Sequence, residues 1–175
     1  PRAIVPVLTL DWEKLFEDTL WGKRIRNDLS EASRALNAEN NRIADDLIAE
    51  EKALTDKRPT MDPKVFRTEA DAFDERATAI RNAQKAKAQA LSQNFEEARQ
   101  AFFAGVAPLL DDILASRGAV VVLDRRVIIR GLAAADVTAE LVTLVDAQLG
   151  SGPAEDGLPA PAQEGSGTAT APAGV

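Results

Sequence analysis

Residues 66–113 read FRTEADAFDERATAIRNAQKAKAQALSQNFEEARQAFFAGVAPLLDDI. One residue placed every 100° on an α-helical wheel puts Phe66, Phe73, Ala77, Ile80, Leu91, Phe95, Ala98, Phe102, Val106, Leu109 and Ile113 within an arc of about 80°. This continuous apolar stripe predicts a single helix on the order of 70–80 Å long at about 1.5 Å per residue. A helix of that length needs a partner along its whole stripe.

The partner lies upstream. Ile25, Leu29, Ala32, Leu36, Ile43, Leu47 and Leu54 fall within about 60° of one another on the same wheel. Steps of roughly 11 residues recur among them (Ile25, Leu36, Leu47; Ala32, Ile43, Leu54), a period that gives nearly straight or slightly right-handed packing. Between the two stripes sits TDKRPTMDP, residues 55–63. Pro59 disfavours helix at Arg58, and Asp62-Pro63 reads as a helix cap followed by proline at the first helical position. The expectation is a helical hairpin over residues 23–116 with its tip at about 58–62.

Composition narrows the function. The 175 residues are 45 % apolar, enough for one domain with a core or two small ones, while the 5 % aromatic content and alanine-rich helices favour an elongated shape. A net charge of −7 argues against nucleic acid as the main partner and leaves room for local basic patches. Cysteine and histidine are absent, which removes thiol nucleophiles, disulfides, Cys or His metal sites and the commonest general base together. Asp45-Asp46, Glu96-Glu97 and Asp111-Asp112 are adjacent on helices, so each pair points about 100° apart and shares no acid–base site. Neither a G-x-x-x-x-G-K-S/T nor a G-x-G-x-x-G loop occurs. A protein that is not an enzyme, with no cofactor and no metal, is expected. No run of about 20 apolar residues predicts a membrane span. The chain opens at Pro1 with neither a start Met nor a signal-peptide pattern, and is expected to be naturally soluble, or a processed or truncated form without its targeting segment.

The flanks of the hairpin predict a small α+β body, residues 1–22 and 117–149, in a chain that is otherwise mostly α. AIVPVLTL, residues 3–10, reads as a strand held near an edge or bulge by Pro6. Asp11 caps a short helix from Trp12 to about Trp21, and Gly22 marks a break or a close contact. Pro108 predicts a kink in the second arm. Gly118 ends that arm, AVVVL (119–123) and VII (127–129) read as two further strands around the turn Asp124-Arg125-Arg126, and Asp136 caps a last helix. Residues 150–175, rich in Pro, Ala and Gly, are expected to be a disordered tail. Three short strands cannot close their own edges, so self-association through Val5, Val7, Val121, Leu123 and Ile128 is expected.

The opening strand with LDWEKLF (10–16) and Gly22-Lys23, the long hairpin, and VVVLD (120–124) through VII (127–129) to ADVT (135–138) together resemble the Skp, or OmpH-like, family of periplasmic chaperones. The resemblance spans residues 3–149 and its closing strand and helix segments are the more specific part. It implies a jellyfish-like homotrimer whose bodies join in a β-barrel and whose hairpins hang as tentacles around a cavity. That cavity would hold unfolded outer-membrane proteins without ATP, in the periplasm after removal of a signal peptide. The acidic balance departs from the basic tentacles of the best-known members.

Two basic groups are candidates for contact with client or anionic lipid. At the tip stand Lys57, Arg58 and Lys64 with Met61 at the apex; on the second arm Arg76, Arg81, Lys85 and Lys87 occur with no acid between Arg76 and Phe95. The plainer alternative makes the tip a solvated turn offset by Glu50, Glu51, Asp56 and Asp62, and the arm charges a solubilising face. The stripe phenylalanines read mainly as hairpin seam. A coiled-coil spacer or adaptor of the cell envelope is the competing function, although the flanks are short for the extra domains such adaptors carry.

Overall fold

The computed structural model describes residues 7–153. Strand β1 (Val7–Leu10) leads into helix α1 (Trp12–Asp18), then the two arms α2 (Leu20–Lys57) and α3 (Pro63–Arg117), strand β2 (Val121–Asp124) and helix α4 (Thr138–Gln148). Two short 3₁₀ turns, Arg125–Val127 and Ala133–Ala135, fill the connection from β2 to α4.

Local chemistry sets the helix ends. Asp11 Oδ1 accepts from the Lys14 amide at 3.0 Å and caps α1. The expected run of this helix to Trp21 is corrected: it stops at Asp18, and Thr19, in an extended conformation, caps α2 by accepting from the Gly22 amide at 3.2 Å. Gly22 is therefore the close contact, inside the first turn of α2, where a Cβ would stand 1.7 Å from the Phe16 carbonyl oxygen. At the tip, Asp62 Oδ1 accepts from the Lys64 and Val65 amides at 2.8 and 3.3 Å, ahead of Pro63 in the first turn. Gly118, at φ 62°, ends α3 in the left-handed conformation that glycine adopts without a Cβ penalty, and the Ala119 amide reaches back to the Leu114 carbonyl at 3.0 Å. α3 runs through Pro108 without a break, and the Ala104 carbonyl that the proline leaves without its helical donor lies on the exposed side, open to water.

The 38-residue α2 and 55-residue α3 form an antiparallel hairpin, and the surplus of α3 enters the body. There Phe102, Val106, Leu109, Leu110 and Ile113 pack with Leu8, Leu10, Leu15, Phe16, Trp21 and Ile25, closed by Val137, Leu141 and Val145 of the α4 segment. Phe102 is fully buried, edge-on to Phe16 at 5.2 Å and to Trp21 at 5.4 Å. Away from the body core Ala32 and Leu36 of α2 and Ala77 of α3 stay buried. Phe66, Phe73, Ile80, Leu54, Leu47 and Ile43 are half-buried, since two helices alone cannot enclose both sides of a seam.

The sheet differs from expectation. β1 and β2 pair in parallel, Val7 with Val121 through Leu10 with Asp124, so the whole hairpin is the crossover between them. Val127–Ile129 forms no strand. The Asp124 carboxylate accepts from the Arg126 amide at 2.9 Å and winds the chain into a turn, while the other edge of β1 is taken by a bridge from Thr9 to Asp136. Val5 lies outside the described residues. Residues 150–153, placed in the tail by composition, fold back onto α2: Arg24 donates to the carbonyls of Ser151 and Pro153 at 2.6 and 3.0 Å.

Candidate binding surfaces on the arms and the body

The pairing of α2 with α3 decides which arm charges remain available. Arg76 is ion-paired across the seam with Glu50. Lys87 Nζ donates to Glu39 Oε1 at 2.7 Å, and Gln84 Nε2 donates to the same oxygen at 3.1 Å. These donors, Lys87 first, hold the Glu39 carboxyl below the usual carboxylate range. Together they form a polar layer across the middle of the hairpin. Arg81 and Lys85 are exposed and make no ion pair among the described residues. Half of the basic stretch is therefore committed to holding the arms together, and half faces solvent.

The tip is arranged likewise. Arg58 stacks over the Phe66 ring with its guanidinium carbon 5.5 Å from the centroid, covering the last aromatic of the seam. Met61 is half-buried at the apex, and Lys64 is exposed. Lys57 and Arg76 line one inter-arm cleft of about 250 Å³ with Glu50, Glu69, Leu54 and Phe73. Two of the predicted contact residues thus meet at a place with an apolar floor and a rim of mixed charge.

On the body, the parallel register sends Val7, Val121 and Leu123 to the same outer face, with exposures of 37, 39 and 43 %. Ile128 is half-buried. Four neighbours in sequence are far more open: Val120 at 82 %, Val127 at 76 %, Ile129 at 104 % and Leu132 at 82 %. Leu132 falls outside both strand patterns, because it stands between Gly131 and the three alanines 133–135 with no β-branched neighbour. The segment is held in place by polar ties. Arg125 pairs with Asp136, Arg126 with Glu13 at 3.0 Å and Asp124 at 2.8 Å, and the Asp11 amide donates to Thr138 Oγ1 at 3.0 Å. Burial works to raise the Asp136 carboxyl, but the Thr138 hydroxyl and amide and then Arg125 outweigh it and hold it low. The polar ties thus fix both ends of the β2–α4 connection, and the exposed Val127, Ile129 and Leu132 stand between them.

The sequence pattern of the outer membrane protein (OmpH-like) family matches residues 6–145. The chain belongs to this family. The match takes in both sheet strands, the complete hairpin and most of α4, so the OmpH-like assignment rests on the body as well as on the arms. The fold of this OmpH-like chain is shared by the crystal structure of a candidate outer membrane chaperone (OmpH-like) from Caulobacter crescentus. The TM-score is 0.79 at 20 % identity, covering 86 % of this chain and 89 % of the other. No curated protein sequence matches the chain.

Proposed function

We propose that this chain is an ATP-independent periplasmic holdase that keeps unfolded outer-membrane β-barrel proteins from aggregating. The observation that carries the reading is the combination of OmpH-like membership with an unpartnered apolar body surface at the root of two very long arms. Val7, Val121 and Leu123, joined by Val120, Val127, Ile129 and Leu132, supply the contact for a homotrimer, in which the strand edges open in one subunit are covered by its neighbours. Three hairpins then surround a space.

Within that space no single deep pocket is required. A barrel strand in its unfolded state alternates apolar and polar residues. Many weak contacts at high effective concentration hold such segments without strong affinity at any one of them. Of the candidate cations, Arg81 and Lys85 on the second arm and Lys64 at the tip are exposed and make no ion pair among the described residues, so they can attract acidic client segments or anionic lipid; Arg76, Lys87 and Arg58 serve the seam first. Binding and release then proceed without a chemical step.

The test is light scattering from a urea-unfolded outer-membrane β-barrel protein diluted into buffer with and without the purified chain, in the absence of nucleotide. Suppression at stoichiometric trimer supports the holdase. Unchanged aggregation leaves the structural-spacer alternative standing and rejects this reading.

A further inference from the structure

Trp21, in the first turn of α2, is 3 % exposed although it sits at the surface end of the arm root. What covers it comes from both ends of the fold. On one side is Gly105 of α3, where a Cβ would stand 2.8 Å from the indole Cζ3. On the other is Gly152, where a Cβ would stand 2.3 Å from Cε2 and 2.4 Å from Nε1, so that only a bare backbone fits. Gly152 also has φ +77°, and Gly150 before it +56°, conformations that other residues rarely hold.

The same segment is gripped by polar contacts. Arg24, three residues beyond Trp21, donates from Nε to the Ser151 carbonyl at 2.6 Å and from Nη2 to the Pro153 carbonyl at 3.0 Å, spanning alternate peptides with one planar fork. Just before, Asp146 of α4 accepts from the Leu20 amide at 2.7 Å, and Gly152 itself turns back to donate to Leu149 at 2.9 Å. Among the described residues the indole N–H has no hydrogen-bond partner, so Trp21 is held by packing while Arg24 supplies the polar grip. Gly150 and the Gly152–Leu149 hydrogen bond serve the end of α4, whereas the Arg24 fork and the seat of Gly152 on the indole go beyond what ending a helix needs.

We propose that Gly150–Pro153 is a latch that docks in the Trp21–Arg24 groove and fastens the root of the first arm to α4. Release of the latch uncovers Trp21 and frees the first turns of α2. The chain continuing past Pro153 is attached at that root, so a partner that takes hold of it acts directly on the arm.

The test uses a Trp12→Phe background, leaving Trp21 as the sole tryptophan. In the full chain, Gly152→Ala and Arg24→Gln should each shift Trp21 emission to the red, raise its quenching by acrylamide, and speed amide hydrogen exchange at residues 21–28. About tenfold faster exchange is expected, the factor for losing even one hydrogen bond to a charged group. A chain ended at Leu149 should show all three effects, and a chain ended at Pro153 none. Full-chain variants with unchanged emission and exchange would overturn the proposal, as would a chain ended at Pro153 that behaves like one ended at Leu149. The point variants decide the matter even if the shortest chain fails to fold.

Discussion

Phe102→Ala against Phe73→Ala measures how differently the two ends of one apolar stripe are held. Phe102 is fully buried, with ring centroids 5.2 Å from Phe16, 5.4 Å from Trp21 and 5.2 Å from Phe103. Emptying such a core site costs about 3–5 kcal/mol in transfer and cavity terms. The lost edge-to-face pairs, at about 0.5–1.5 kcal/mol each, place the expected loss in the upper part of that range, about 4–5 kcal/mol. Phe73 lies on the same stripe but is partly exposed and borders the inter-arm cleft. Full burial of such a side chain is worth about 1.5–3 kcal/mol, so losing a partly buried one should cost about 1 kcal/mol. Urea unfolding followed by far-UV circular dichroism reads both values, at one fixed protein concentration because the proposed assembly would add to stability. Against a total of about 5–15 kcal/mol the first variant is severely weakened and the second barely. A Phe102→Ala loss below about 2 kcal/mol, or equal losses for the two variants, would refute the view that the core lies where arm meets body.

The scattering mass in solution should be three times the 18.7 kDa of one chain, and a monomer mass at micromolar concentration would reject the trimer. Val121→Asp should give dissociated or precipitated protein, since it places a charge on the outer apolar face. Arg81→Gln with Lys85→Gln should slow client capture at low salt and change little at high salt, because exposed charges are screened beyond about 10 Å at 0.1 M; an equal loss at both salts rejects the electrostatic role. Glu39 has its carboxyl lowered on folding, so its contribution is present above the unfolded value of about 4.3 and is lost as pH falls through the folded one. Glu39→Gln should therefore flatten the acid side of the stability profile below about pH 5, and parallel profiles for the two proteins would refute the link.

Features set by neighbours in sequence were legible, and those set by distant contacts were not. Asp62-Pro63 and Gly118 mark helix ends through backbone amides and dihedral angles within a few residues, so the hairpin could be read directly. Thr19 and Gly22 are both plausible break points on local grounds; what decides for Thr19 is its own hydroxyl together with Asp146, 126 residues away, capping the same helix start. VII at 127–129 has strand composition, but a strand exists only against a partner edge, and Asp136 holds the edge of β1. The arm charges fared the same way. Arg76 and Lys87 look identical to Arg81 and Lys85 until the register of α2 against α3 brings Glu50 and Glu39 opposite the first two. A glycine- and proline-rich stretch reads as tail whether or not a tryptophan is waiting beneath it, which is why residues 150–153 gave no sign of docking.

The hairpin is built with a gradient along its length. Its root packs into the body core through Trp21 and Phe102 and is tied to the α4 end by Arg24, whereas its outer half is a two-helix seam with partly exposed Phe66, Phe73, Leu47 and Leu54. Local opening follows buried contact, so the free energy for splaying the arms falls from root to tip. The Glu39–Gln84–Lys87 layer interrupts the apolar seam between these two regimes. It holds the register through directional hydrogen bonds while adding little of the packing that stiffens the root. On the proposed function this division is useful. A root that stays fixed keeps three arms arranged around one space, and outer segments that give way at low cost let that space take clients of different size without disturbing the body core.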